Sequence, residues 1–233
     1  MILFQLIRRH LKHGDDEVFY RLQATDAMLW IQRHAGSGFA DQKILDLGCG
    51  HGVFGEELIQ AGAEVTFADA TDLRAQRLKA SKFLQIDLDQ QEAQTLGQFQ
   101  GVVCSNVLEH LKHPDRLIQN METLLAPGGW FYLSWTNWLS PWGGHEFSPF
   151  HYLGPRLGPK CFDRLTGKKR LHTPGDNLFV TRIGKTLSAI NSRPELKVLA
   201  CAPRYYPELA WITKAPLLRE FFTWNCALLI QRV

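Results

Sequence analysis

Ile44-Leu45-Asp46-Leu47-Gly48-Cys49-Gly50-His51-Gly52 is the stretch on which the fold turns. A short apolar run meets an acid and then three glycines at alternate positions, with helix-forming residues 53–61 directly behind. An apolar run of that length bounded by glycine reads as a buried strand. Glycine permits the positive φ of a sharp turn and lets a ligand come close to the backbone. The first turn of the following helix presents unpaired N–H groups that suit a carboxylate or phosphate. The stretch therefore reads as strand, ligand loop and helix in succession.

The same alternation continues in both directions. Upstream, Asp15-Asp16 reads as a helix start, with Val18, Leu22, Thr25 and Leu29 on one face and Gly36-Ser37-Gly38 as the stop. Downstream, Gly62 caps the helix, and residues 65–68 form the second strand. A polar helix is expected over 72–80, then strands at 83–86 and 101–105. Pro114 opens a helix carrying Leu117, Ile118, Met121, Leu124 and Leu125, and Pro127-Gly128-Gly129 turns into a fifth strand at 130–134. Strands alternating with helices in this way imply right-handed crossovers and a parallel sheet covered on both faces, an α/β fold. Residues 136–176 are rich in Trp, Gly, Pro and His without a sustained period, which marks a cover or binding loop. A helix near 183–190 and strands at 197–201 and 227–232 close the chain. No internal repeat or domain-separating linker interrupts residues 1–233.

Composition narrows the functional classes. The 233 residues are 45% hydrophobic and 21% charged, a globular balance, and suffice for one α/β domain. A net charge of +3 is too small for a dedicated nucleic-acid binder. Five scattered cysteines without a CxxC pair argue against a disulfide framework or zinc site and fit a reducing cytoplasm. The N-terminal MILFQLIRRHLKH lacks the charge order and cleavage site of a signal peptide. It reads as an ordinary first helix, with peripheral membrane contact as the sharper alternative.

Gly50-His51-Gly52-Val53-Phe54-Gly55 is also a GxGxxG, the dinucleotide fingerprint, and Asp69 stands where an acid can hold ribose hydroxyls. Three features weigh against a dinucleotide. Asp46 precedes the first glycine, Asp87 ends the third strand, and Ser105-Asn106-Val107-Leu108-Glu109-His110 and Pro127-Gly128-Gly129 flank the fourth and fifth strands.

In that order and spacing, ILDLGCGHG, EVTFADA, FLQIDL, VVCSNVLEHL and LLAPGGWFYLS resemble the class I S-adenosylmethionine-dependent methyltransferases, over roughly residues 40–136. The small-molecule branch, which includes ubiquinone- and menaquinone-methylating enzymes, is the most similar. The resemblance implies a Rossmann-like, doubly wound, mostly parallel seven-stranded sheet with an antiparallel last strand, in three layers. It divides a single domain into an N-terminal helical cap (1–35), a cofactor-binding core (40–136), a substrate lid (137–180), and a C-terminal helix with antiparallel strands (181–233). It implies S-adenosyl-L-methionine as cofactor, with Asp46, Leu47, Gly48, Cys49, Gly50 and Gly52 in the loop, Asp69 at the ribose and Ala70 bordering the adenine. Asp87 and Leu88 would meet the adenine, and Ser105, Asn106 and Val107 the methionine portion, while His110 is either a cofactor contact or a helix-start residue. The flanks, Asp15 to Tyr20 and the WGGHE and HYLG segments, resemble a subset of bacterial methyltransferases that looks actinobacterial and cell-envelope related.

The second constellation, residues 137–152, supplies His145, Glu146, His151 and Tyr152 at the sheet's carboxyl edge. Methyl transfer to a hydroxyl needs a proton acceptor, and His145 with Glu146 is the expected pair. HEFSPFH lacks the zinc spacing HExxH, so no metal is expected. The basic run Arg156, Lys160, Arg164, Lys168, Lys169 and Arg170 reads as a solvated face, or as a guide for an anionic substrate. The acceptor is accordingly expected to be a small or lipid-linked molecule. A cofactor-binding protein without turnover and a nicotinamide-dependent oxidoreductase are the rival readings.

Overall fold

The computed structural model describes residues 2–14, 16–90 and 96–233. Seven strands form one sheet in the order β3-β2-β1-β4-β5-β7-β6. They are β1 (Lys43–Leu47), β2 (Glu64–Asp69), β3 (Phe83–Gln85), β4 (Phe99–Ser105), β5 (Leu125–Thr136), β6 (Leu196–Pro203) and β7 (Asn225–Arg232). β1 to β5 pair in parallel, and β7 inserts antiparallel between β5 and β6. This is the expected doubly wound sheet with its last strand reversed. Period-2 alternation sends Leu45, Leu47, Val102 and Cys104 into a core beneath one face, and Ile44, Val65, Phe67 and Val103 into a core beneath the other. Helices α2 (Glu17–Ala35) and α3 (Val53–Gln60) cover the second core; α4 (Pro114–Leu124) and α6 (Ile183–Asn191) cover the first.

The first helix, α1 (Leu3–His13), packs on α2 through buried Leu6, leaving Phe4 and Leu11 exposed. Asp16 caps α2 by accepting the Phe19 N–H at 2.9 Å and pairs with Arg9; Asp15, read as part of the same start, lies outside the described residues. Arg21 on α2 pairs with Glu56 and Glu57 on α3, fixing the wall that carries Phe19, Tyr20 and Gln23. No helix among the described residues is long and apolar enough to cross a membrane.

Three sequence expectations need correction, and one helix has no counterpart in the sequence reading. The helix expected over 72–80 is a single 3-10 turn, Gln76–Leu78. Asp72 accepts from the Arg74 backbone N–H and from its guanidinium, and this local pairing displaces the helical ladder. Pro127-Gly128-Gly129 is no separate turn but a bulge inside β5, where register slips between Phe99↔Leu125 and Gly101↔Trp130. Residues 136–176, read as irregular, contain the 13-residue helix α5 (Gly154–Thr166). A further short helix, α7 (Pro216–Phe222), precedes β7.

Candidate active site

β1 and β4 are neighbours and lead in opposite directions across the sheet, so their carboxyl ends flank the point where the strand order reverses. Gly48 leaves β1 at φ 72°, and a Cβ there would meet the Val107 side chain at 2.3 Å. Gly50 has φ 50° and open space where a Cβ would stand. The loop thus needs glycine at Gly48 to fold and leaves room in front of Gly50.

Asp46 is buried, and its Oδ2 accepts the Gly55 N–H at 2.8 Å, tying β1 to the first turn of α3. Burial pushes its carboxyl up to about 7, partly offset by that hydrogen bond. Asp69 holds the loop from the neighbouring strand. Its two oxygens accept the N–H groups of Gly50, at 2.8 Å, and Ala70, at 2.7 Å.

A cleft of about 470 Å³ opens at this edge. Of the expected cofactor residues, Asp46, Gly48, Cys49, Gly50, Ser105 and Asn106 line it. Leu47 is buried beneath it, Gly52 caps α3, and Val107 packs behind Gly48. Asp69 ends β2, Ala70 follows it, and Asp87 and Leu88 come just after β3; none of the four lines the cleft. Asp87 accepts from the Asp89 N–H and from Gln90, stabilising the turn after β3.

The opposite wall is built by the lid. His145 lines the cleft at φ 49°, and burial, reinforced by His172 and His110, lowers its pKa to about 4. It is a neutral imidazole at pH 7. Glu146 is turned away: its carboxylate accepts the backbone N–H groups of Leu171 and His172 and binds His172 Nδ1 at 2.6 Å. The expected His145–Glu146 pair is therefore split, because consecutive residues in a tight turn point apart. His151 is buried within the lid on the Ser140 carbonyl, and the Tyr152 hydroxyl donates to Leu139 O; neither lines the cleft. The basic run lies on or just beyond α5, with Arg170 paired to Asp163 and the other five exposed.

Sequence reasoning missed three contributors and left a fourth open. His172 faces the cleft and stacks near His145, ring centroids 4.4 Å apart. Glu109, 1% exposed, accepts the Thr136 N–H at 2.8 Å and joins the turn after β4 to the end of β5. Arg204, 5% exposed, donates to Ser105, Ser134 and Asn106 beneath the cleft floor. His110, left between cofactor contact and helix start, lines the cleft, with Nδ1 at 2.7 Å from the Asn177 carbonyl. The missing signal is topological: Glu109, His145, His172 and Arg204 come from four separate segments.

An open α/β sheet with a glycine loop and a cleft at its switch point defines a Rossmann-like fold with a ligand-binding edge. The methyltransferase-domain family model matches residues 19–168. An uncharacterized methyltransferase of Mycolicibacterium vanbaalenii is 33% identical over 231 residues, covering 91% of this chain and 87% of that protein. An S-adenosylmethionine-dependent methyltransferase from Mesorhizobium loti shares the fold with TM-score 0.59 at 22% identity, covering 88% and 98% of the two chains. The magnesium protoporphyrin IX methyltransferase of Synechocystis, solved with bound S-adenosylhomocysteine, superposes with TM-score 0.58 at 17% identity, covering 99% and 94%. The chain belongs to the methyltransferase-domain family.

Proposed function

We propose that this methyltransferase moves a methyl group from S-adenosylmethionine to a hydroxyl oxygen of a small-molecule or lipid-linked acceptor. The observation that carries the reading is that one cleft is lined jointly by the glycine loop and by a cluster of histidines. The residues fit the cofactor: space stands open before Gly50, and buried Asp46 offers a carboxylate to a ligand bearing ammonium and sulfonium charge. Gly48, Cys49, Gly50, Ser105 and Asn106 would hold its methionine portion, with Asp69 at the ribose and Ala70, Asp87 and Leu88 at the adenine. Residues 1–233 act in this reading as one domain.

S-adenosylmethionine supplies, when bound, a methyl group already activated on sulfur. The protein's work is then alignment, exclusion of water and removal of one proton. His172 is the proton acceptor. Its Nδ1 faces a carboxylate, which can only accept, so Nδ1 carries the hydrogen and Nε2 keeps the lone pair. Glu146 is the positioning residue that fixes this tautomer, as an orienting carboxylate does in other nucleophile–base pairs. With the cofactor bound, His172 would take the hydroxyl proton as the acceptor oxygen gained the methyl carbon and the S–CH3 electron pair returned to sulfur. His145, held neutral, is too weak a base for this step and packs beside the acceptor.

The test is a panel of hydroxylated small molecules and lipids assayed by methyl incorporation. His172→Asn lowers kcat by about 100-fold or more while leaving cofactor affinity unchanged. Glu146→Gln lowers kcat with little effect on acceptor KM. Cofactor binding without turnover on any acceptor favours the idle-binder reading instead.

A further inference from the structure

Glu109, His110 and His145 meet at the acceptor end of the cleft. Each offers one ligand-type atom, and these atoms all lie within 4.8 Å of one another. Two of the three carry unanswered polar atoms. Glu109 is 1% exposed, and its Oε2 has no hydrogen-bond partner among the described residues. The buried Nε2 of His145 is likewise unpartnered. An orphaned carboxylate oxygen in the interior is costly, and it persists where a ligand completes it.

His110 adds an independent feature. Its Nδ1 faces the Asn177 carbonyl, an acceptor only, so that nitrogen carries the hydrogen and Nε2 keeps the lone pair. A backbone carbonyl fixing the far nitrogen is the arrangement that orients metal-ligating histidines. Asn177 is itself held: its side chain donates to Leu171 O and accepts from Thr173 N–H. The neighbouring Phe179 N–H bonds back to Glu109 O at 2.8 Å. The ligand set is thus braced by the segment that closes the lid.

We propose that Glu109, His110 and His145 form a binding site for one divalent transition-metal ion, open to the cleft on the acceptor side. Two imidazoles and one carboxylate favour zinc, cobalt, iron or manganese over magnesium or calcium, which prefer all-oxygen shells. Three protein ligands leave a coordination position for an acceptor oxygen. A hydroxyl bound there loses its proton more readily, and His172, stacked on His110 and tilted against His145, stands next to receive it. The assignment deepens the methyl-transfer reading, but its test is independent of turnover. The linear string HEFSPFH does not reveal the site, since its second histidine, His151, is buried elsewhere and the other ligands come from the turn after β4.

The experiment is a titration of the chelator-treated full-length chain with Co2+, followed by calorimetry and visible absorption, with S-adenosylmethionine binding measured in parallel. Wild type takes up one equivalent with absorption bands of nitrogen–oxygen coordination. His110→Ala and His145→Asn each weaken Co2+ binding by about 10-fold or more, while His34→Ala leaves it unchanged. Asn is chosen at His145 because it tolerates the left-handed backbone found there. Cofactor binding shows that each variant is folded. Absence of Co2+ uptake by wild type, or equal uptake by wild type and both ligand variants, overturns the metal site. Either result leaves the methyl-transfer reading standing if the cofactor still binds.

Discussion

Asp46 shows how one residue can serve both fold and site. Its carboxylate sits at the strand end, closed in by β1 and α3, with the Gly55 N–H as its hydrogen-bond donor. A Cβ at Gly55 would stand 2.2 Å from the Phe67 ring and 2.8 Å from that carboxylate, so glycine there allows helix and strand to close. The third glycine of the embedded GxGxxG is explained by packing, with no dinucleotide required. The carboxyl titrates at about 7 in the folded protein, against an ordinary value near 4 in the unfolded chain. Between those values the folded chain keeps a proton that the unfolded chain has released. Stability of the cofactor-free protein therefore falls as pH rises from about 4 to about 7, by on the order of 4 kcal/mol at most, and levels off above. Chemical denaturation across that range will show the slope in wild type, and Asp46→Asn will remove most of it.

Among the elements, the lid separates what the sequence discloses from what it hides. α5 carries Gly154, Pro155, Gly158 and Pro159, residues that interrupt any helical pattern. It forms because Phe162 packs with Trp138, Phe147 and Leu178 in a small core of its own, and because Gly158 admits the Phe150 carbonyl, 2.4 Å from where a Cβ would stand. Tertiary packing overrides local propensity there. The reverse happens at 72–80, where good helix formers lose to the Asp72–Arg74 pairing. Strands β1, β2 and β4 were legible because both faces of their central residues are buried, which makes each a short and mostly apolar run. The lid core lies apart from the two cores that flank the sheet. Trp138→Ala is accordingly expected to cost about 3–5 kcal/mol locally. Limited proteolysis and hydrogen exchange will show residues 137–170 loosened, with S-adenosylmethionine affinity kept within a few-fold and acceptor KM raised.

For the molecule as a whole, the glycine-loop wall of the cleft was readable in the sequence and the histidine-lined wall was not. Asp46, Gly48 and Gly50 lie within one contiguous loop, so a single local motif carries them. Glu109, His110, His145, His172 and Arg204 converge only after the sheet has brought the ends of β4, β5 and β6 together and the lid has folded back over them. His172 belongs to no motif in the sequence, and only the fold brings it to the cleft beside Glu146. The central claim is that S-adenosylmethionine binds in this cleft and along the glycine loop to Asp69 beside it. Calorimetric titration of wild type and Asp69→Asn, with S-adenosylmethionine and separately with NADH, tests it most directly. Micromolar binding of S-adenosylmethionine, weakened at least about tenfold by the substitution (about 1.4 kcal/mol) and absent for NADH, is the predicted result. Binding of NADH in place of S-adenosylmethionine would contradict the account and return the loop to a dinucleotide reading.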